Sequence, residues 1–195
     1  MVSSEKKTVR KKFLLINAPL IGKELEVYGT NLESFNNRFI KLDLTSDLKG
    51  KAIELKLKVH ATENKADAAP VELQLMGFNI RRMMRKGVDY VEDSFVAKCK
   101  DNSLRIKPFL ITRKRVSKRV LAGLRNLTKA EITNYVKDKE FENLVLDVIN
   151  NKIQKELSYK LKKIYPLSLC EIRFLGIANP KEIKEEAEKD IEKKS

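Results

Sequence analysis

Histidine and tryptophan are nearly missing from this sequence: 195 residues contain one His, His60, and no Trp. Metal centres draw on clusters of His, Cys or carboxylates. One His and two well-separated cysteines make a zinc site a poor expectation. A histidine-based triad needs a nucleophile beside its base. No sequence neighbour of His60 supplies one, so it reads as a solvated surface residue. Cys99 and Cys170 follow no pairing rule, which fits a reducing compartment. There are only seven glycines, and none forms the G-x-x-x-x-G-K-[ST] or G-x-G-x-x-G loop that cradles phosphates. Aromatics are 7% of the chain, so runs of stacking platforms for single strands are not the obvious mode. Gly77-Phe78 before basic residues faintly resembles an RNP-type motif, without the further aromatics that motif needs. The longest apolar run, Phe13 to Ile16, is too short to cross a bilayer as a helix. The start has no secretory-signal pattern.

Positive charge is abundant: 41 Lys+Arg against 27 Asp+Glu give a net +14. It is also concentrated. Residues 1–12 carry Lys6, Lys7, Arg10, Lys11 and Lys12 against Glu5. Residues 81–86 carry Arg81, Arg82, Arg85 and Lys86 and no acid. Residues 98–125 carry ten cations against Asp101 alone. The three segments together hold +17, so everything else amounts to −3. Solvated faces ordinarily interleave both signs, as residues 181–194 do with five lysines and six acids. The three cationic segments read instead as a polyanion-binding surface.

With 42% hydrophobic residues, the chain can bury a core without disulfides or a structural metal. Residues 1–12 read as a flexible basic arm. Period-two alternation then predicts strands. Ile40, Leu42 and Leu44 alternate with polar residues; so do Ile53 to Val59, and Val71, Leu73 and Leu75. Glu24–Tyr28, Tyr90–Lys100 and Leu104–Thr112 are further candidates, separated by turns at Lys49-Gly50 and Asp101-Asn102-Ser103. A short helix with Asn79 as N-cap and Gly87 as stop would face Ile80, Met83 and Met84 inward and Arg81, Arg82, Arg85 and Lys86 outward.

After Thr112 the pattern turns helical. Val116, Val120, Leu121, Leu124 and Leu127 share one arc; Lys114, Arg115, Lys118, Arg119 and Arg125 share another. Gly123 weakens that helix by about 1 kcal/mol. Thr128-Lys-Ala-Glu131 reads as a capping box opening a new helix. Phe141, Leu144, Val145, Val148 and Ile149, continued by Ile153, Leu157, Leu161 and Ile164, form a core stripe that Asn150-Asn151 divides. Tyr165-Pro166 ends it, and Cys170, Ile172 and Phe174 return as a last strand. The expectation is an α+β fold: a curved antiparallel sheet or partly closed β-barrel with a C-terminal helical segment packed on it. Residues 13–178 form one domain, with strands over 13–112, helices over 113–164 and the return strand over 168–178. Residues 179–195 are a charged tail. Three uses of the cations stay open: a free RNA- or DNA-binding regulator, an enzyme acting on nucleic acid, or a membrane-surface protein. The last is disfavoured because the apolar faces of both basic helices suit a core.

The order of several short motifs resembles the archaeal–eukaryotic small-subunit ribosomal protein family S-three-a (e-S-one). They are Lys11-Lys12-Phe13 with Ala18-Pro19, Ile21-Gly22-Lys23 with Gly29-Thr30, Leu48-Lys49-Gly50, Gly77 before the short basic helix, the Arg113-to-Arg119 cluster, and Ile164-Tyr165-Pro166-Leu167. Eukaryotic members carry Trp-Tyr or Trp-Trp where Phe13-Leu14 stands, and are longer, which favours an archaeal-type version. The resemblance implies a non-enzymatic component of the cytoplasmic ribosome without a cofactor. It would sit on the platform near the rRNA 3′ end and the mRNA exit, against rRNA and neighbouring platform proteins, with mRNA a further candidate partner. The RNA-binding set expected is Lys6, Lys7, Arg10, Lys11, Lys12, Arg81, Arg82, Arg85, Lys86, Arg113, Lys114, Arg115, Lys118, Arg119 and Arg125.

Overall fold

A computed structural model describes residues 10–62 and 65–179. Lys6 and Lys7, and the tail from residue 180 onward, lie outside the described residues. Among the described residues there are, in chain order, nine strands and four α-helices: β1 (Lys12–Ala18), β2 (Lys23–Gly29), β3 (Phe39–Asp43), β4 (Ile53–Ala61), β5 (Ala66–Leu75), α1 (Gly77–Met83), β6 (Tyr90–Glu92), β7 (Phe95–Lys98), β8 (Ser103–Thr112), α2 (Lys118–Lys137), α3 (Phe141–Ile149), α4 (Lys152–Leu161) and β9 (Leu167–Ile177). The class is α+β. The strands form one open sheet along the path β2-β1-β5-β9-β8-β6, with β3 on β4, β4 on β5 and β7 on β8. It is mixed rather than purely antiparallel, because β1 meets β5 in parallel at Asn17 and Asp67.

Backbone contacts group the chain into two units: residues up to Lys41 with Lys56–Pro70, and Leu42–Leu55 with Val71 onward. In the first, β1 and β2 form a seven-pair hairpin ladder from Lys12↔Gly29 to Ala18↔Lys23. Ile16, Ala18, Phe35, Leu57, Val59, Ala66 and Ala68 are buried. Gly29 is fixed by packing: a Cβ there would lie 2.3 Å from the Phe35 ring. Strand β1 is barely marked by periodicity. Phe13 and Leu15 are 70% and 55% exposed, so apolar residues occupy both faces and the alternation is blurred. Lys12, expected in a flexible arm, is the first residue of that strand.

In the second unit β8 is the central strand. It pairs with β9 along Leu104↔Ile177 to Thr112↔Leu167, and with β6 and β7 on its other edge. Pro108 breaks the ladder at a register shift between Lys107 and Pro108, the kind of irregularity at which a residue without an N–H can sit in a sheet. Phe95, Leu104, Ile106, Phe109 and Leu110 are buried, as are Leu124, Ile132, Leu144, Val148, Leu157 and Leu161 of the helices. The expected break between α3 and α4 is present: Asn151 adopts a left-handed conformation, φ 58°. The return strand is present as β9, between β5 and β8.

Two helix expectations need correction. Thr128 opens no new helix, since α2 runs unbroken through it. Its buried hydroxyl donates to the Leu124 carbonyl four residues back, at 2.6 Å, a bond that competes with capping. The short helix begins at Gly77 and ends at Met83, with Met84 already extended. Asn79 is not its cap but lies inside it, fully buried, so Arg85 and Lys86 follow the helix instead of lining it.

Candidate nucleic-acid interface

The largest cationic cluster is built where β8 leaves the sheet. Tyr90 pairs with Ile111 in the antiparallel β6–β8 ladder. The residues before Tyr90 and those after Ile111 therefore emerge at the same end. Asp89 and Thr112 clasp them together. The Thr112 N–H donates to the Asp89 carbonyl at 2.9 Å. The fully buried Thr112 hydroxyl accepts from the Asp89 N–H at 3.0 Å and lies 2.8 Å from the carbonyls of Asp89 and Lys114, to either of which it donates. The Asp89 carboxylate accepts from the Val116 N–H at 2.8 Å. These bonds fix residues 113–116 as a non-helical lead-in to α2, bent at Arg113 and Lys114. Arg113, Lys114 and Arg115 are exposed on it. They were expected on the helix itself; the helix starts later, at Lys118, with Ser117 as its N-cap.

Lys118 and Arg119 occupy the first turn of α2, which contains no acid. Arg125, seven residues past Lys118, returns to the same face. Cations at a helix N-terminus oppose the macrodipole and stabilise nothing there by themselves. With an anion present, the field of the helix end and the side chains act together.

The clasp also joins two clusters that are distant in sequence. Lys86 is three residues before Asp89, so its backbone lies within about 11 Å of the Asp89 Cα. Asp89 in turn holds Val116, the residue after Arg115. Arg85 and Lys86 thus belong to the same end of the β6–β8 ladder as Arg113–Arg115. Arg81 is exposed on α1. Arg82 is also exposed but is partly occupied by the protein, donating to Asn79 Oδ1 at 3.0 Å and reaching the Gly50 carbonyl at 3.5 Å. Arg10, Lys11 and Lys12 are exposed at the start of the first unit. Apart from Arg82, none of these side chains has an ion-pair or hydrogen-bond partner among the described residues.

Elsewhere several basic side chains are compensated. Lys51 meets Glu171 at 2.6 Å and Asn151 Oδ1 at 2.5 Å. Lys160 meets Glu131 at 2.5 Å. Lys139 and Lys152 both meet Asp147, at 2.5 and 3.3 Å, and Arg173 meets Glu92. Among the described residues no three His, Cys, Asp or Glu side chains converge as metal ligands, and no helix is long and apolar enough to cross a membrane. His60 is exposed. Cys99 and Cys170 are free and buried. Burial, with Glu171 adding to it, pushes the Cys170 thiol up to about 12, which keeps it protonated and unreactive. Sequence reasoning missed Asp89, the residue that positions the cluster. Its only signal was being the first acid after the 81–86 cationic segment.

Comparison with known proteins identifies the family. The family described as the ribosomal S3Ae family matches residues 4–178. The small ribosomal subunit protein eS1 of Nanoarchaeum equitans is 30% identical over 172 residues, covering 84% of this chain and 87% of that one. Its namesake in Methanothermobacter thermautotrophicus is 26% identical, covering 83% and 87%. That of Methanobrevibacter smithii is 27% identical, covering 78% and 74%. A match over nearly the whole chain, with relatives aligned over most of their own length, makes this protein a member of the ribosomal S3Ae family.

Proposed function

We propose that this protein is a structural, non-catalytic component of the small ribosomal subunit that holds folded rRNA by its phosphates. Family membership supports the ribosomal role. The observation that carries the RNA contact is the Asp89–Thr112 clasp, which presents Arg113, Lys114 and Arg115 beside the uncompensated first turn of α2. Phosphate contacts position a protein without reading sequence, and folded RNA offers specificity through its shape. Arg81, Arg82, Arg85 and Lys86 extend the track, with Arg82 held in place by Asn79. Lys6, Lys7, Arg10, Lys11 and Lys12 supply a second contact. Residues 13–178 act as the rRNA-binding body. A position on the platform near the rRNA 3′ end and mRNA exit, against neighbouring platform proteins and passing mRNA, is the finer form of the reading.

Charge reversal tests it. Arg115→Glu with Arg119→Glu should weaken binding to small-subunit rRNA at least tenfold in a filter-binding assay. Both side chains are exposed and form no ion pair among the described residues, so the circular dichroism spectrum and melting temperature should not change. Unchanged affinity in the folded double variant would refute the assignment. A strong preference for duplex DNA over rRNA would favour a free regulator instead.

A further inference from the structure

Between α4 and β9, within the second unit, lies an open groove of about 660 Å³. Its residues play no part in the phosphate track. Lys155, Tyr159 and Lys162 line it at positions i, i+4 and i+7, one stripe along the helix. Tyr159 is 76% exposed, more than any other large apolar side chain described. Lys155 and Lys162 have no ion-pair partner among the described residues. The one carboxylate lining the groove, Glu171, is already held by Lys51 at 2.6 Å. The local field is therefore cationic.

Gln154 also lines the groove and is 95% buried. Its Nε2 donates to the Val148 carbonyl at 2.9 Å, while its Oε1 has no hydrogen-bond partner among the described residues. That atom is buried from the groove as well, so the lysines and Tyr159 select the ligand. A bare anion satisfies the lysines but has no plane to lay on Tyr159. A nucleotide meets both demands: phosphates for Lys155 and Lys162 and a π-face for Tyr159.

We propose that this groove holds one unstacked nucleotide of a single-stranded RNA segment, its base against Tyr159 and its flanking phosphates on Lys155 and Lys162. The inference deepens the RNA-binding reading and rests on it. It adds base contact to a surface that otherwise touches only phosphate. Base–aromatic stacking of this kind tolerates any base, so the site would not require a particular sequence.

The absence of tryptophan provides a clean probe. Tyr159→Trp in the full chain places the sole Trp in the groove. Single-stranded RNA hexamers should quench its fluorescence saturably, whereas an abasic hexamer with the same phosphates, or inorganic phosphate, should not. Lys155→Glu with Lys162→Glu should abolish the quenching; Arg115→Glu with Arg119→Glu should leave it. In the otherwise natural chain, Tyr159→Ala should weaken hexamer binding about 5- to 150-fold, the range that stacking supports, while Tyr159→Phe should not. If hexamers fail to quench while rRNA still binds with normal affinity, the groove proposal falls and the phosphate track stands. If rRNA binding also fails to respond to Arg115 and Arg119, the broader reading falls with it. Equal quenching by the abasic hexamer would overturn the base contact. In assembled subunits, a photoreactive group at position 159 should crosslink to RNA; mapping that RNA to rRNA or to mRNA names the source, and crosslinks to protein alone would reject the proposal.

Discussion

Asp147 shows how a single buried carboxylate ties three helices together. It lies on α3, is 7% exposed, and accepts from Tyr135 at 2.9 Å and Lys139 at 2.5 Å, with Lys152 at 3.3 Å. Tyr135 belongs to α2, Lys139 follows that helix, and Lys152 opens α4. Burial alone would push the carboxyl up; the hydrogen bonds from Lys139, Tyr135 and Lys152 more than cancel this and hold it below the ordinary Asp value. A lowered folded pKa gives stability that is fully present above about pH 4 and is lost as pH falls through the folded value. Asp147→Asn should therefore cost about 2 kcal/mol at pH 7, the scale of hydrogen bonds to a charged group. The gap between variant and natural chain should be smaller at pH 2, where the carboxylate begins to protonate. Urea midpoints at the two pH values measure this; a gap of equal size at both would show that the charge is not the cause.

At the scale of elements, α2 joins the core to the cationic lead-in, and its weakest residue is Gly123. Glycine inside a helix costs about 1 kcal/mol relative to alanine. A Cβ at this position would meet Ile164 at 3.8 and 3.9 Å, ordinary contact distances. Gly123→Ala should thus raise the melting temperature by about 2–4 °C for a chain of this size, with rRNA affinity unchanged. A fall in melting temperature would mean that the close approach of Ile164 tolerates no methyl group.

The elements also show what the sequence could reveal. Strands with one wet and one dry face, such as Ile53 to Val59, are legible because period two encodes burial directly. Four features were not. Strand β1 has Phe13 and Tyr28 in an exposed cross-strand pair, ring centroids 5.2 Å apart, so its hydrophobic residues do not mark its inside. Helix α2 runs through Thr128-Lys-Ala-Glu131 because Thr128 bonds back to Leu124, a choice that tertiary packing makes. The cations themselves were plain to read. Their arrangement was not, because Arg85 and Arg115 share one end of the sheet only through the Tyr90↔Ile111 pairing and the Asp89 clasp. In the groove, Lys155 and Tyr159 were overshadowed by the core stripe of the same helix and by the neighbouring Glu156 and Lys160 of mixed sign.

For the whole molecule, the relevant quantity is how its charge is divided. A net +14 spread evenly would attract any polyanion weakly and everywhere. Here Lys51, Lys139, Lys152 and Lys160 are paired with carboxylates, while uncompensated cations gather at the end of one ladder, at the start of the first unit and in the α4–β9 groove. Neutralising phosphates at such clusters releases condensed counterions, so the logarithm of affinity falls linearly with the logarithm of salt concentration. Engagement of about six to ten phosphates lowers affinity roughly 10³- to 10⁵-fold between 50 and 200 mM salt on duplex DNA; folded rRNA should follow with a somewhat shallower slope. The slope also separates the two kinds of contact. Removing a phosphate-binding cation reduces it by about one, so Arg115→Glu with Arg119→Glu should flatten it by about two. Tyr159→Ala removes a stacking contact and no charge, so it should lower affinity at every salt concentration and leave the slope intact. Binding curves on small-subunit rRNA across that salt range would decide it: a slope altered by Tyr159→Ala, or untouched by the double reversal, would contradict this division of roles.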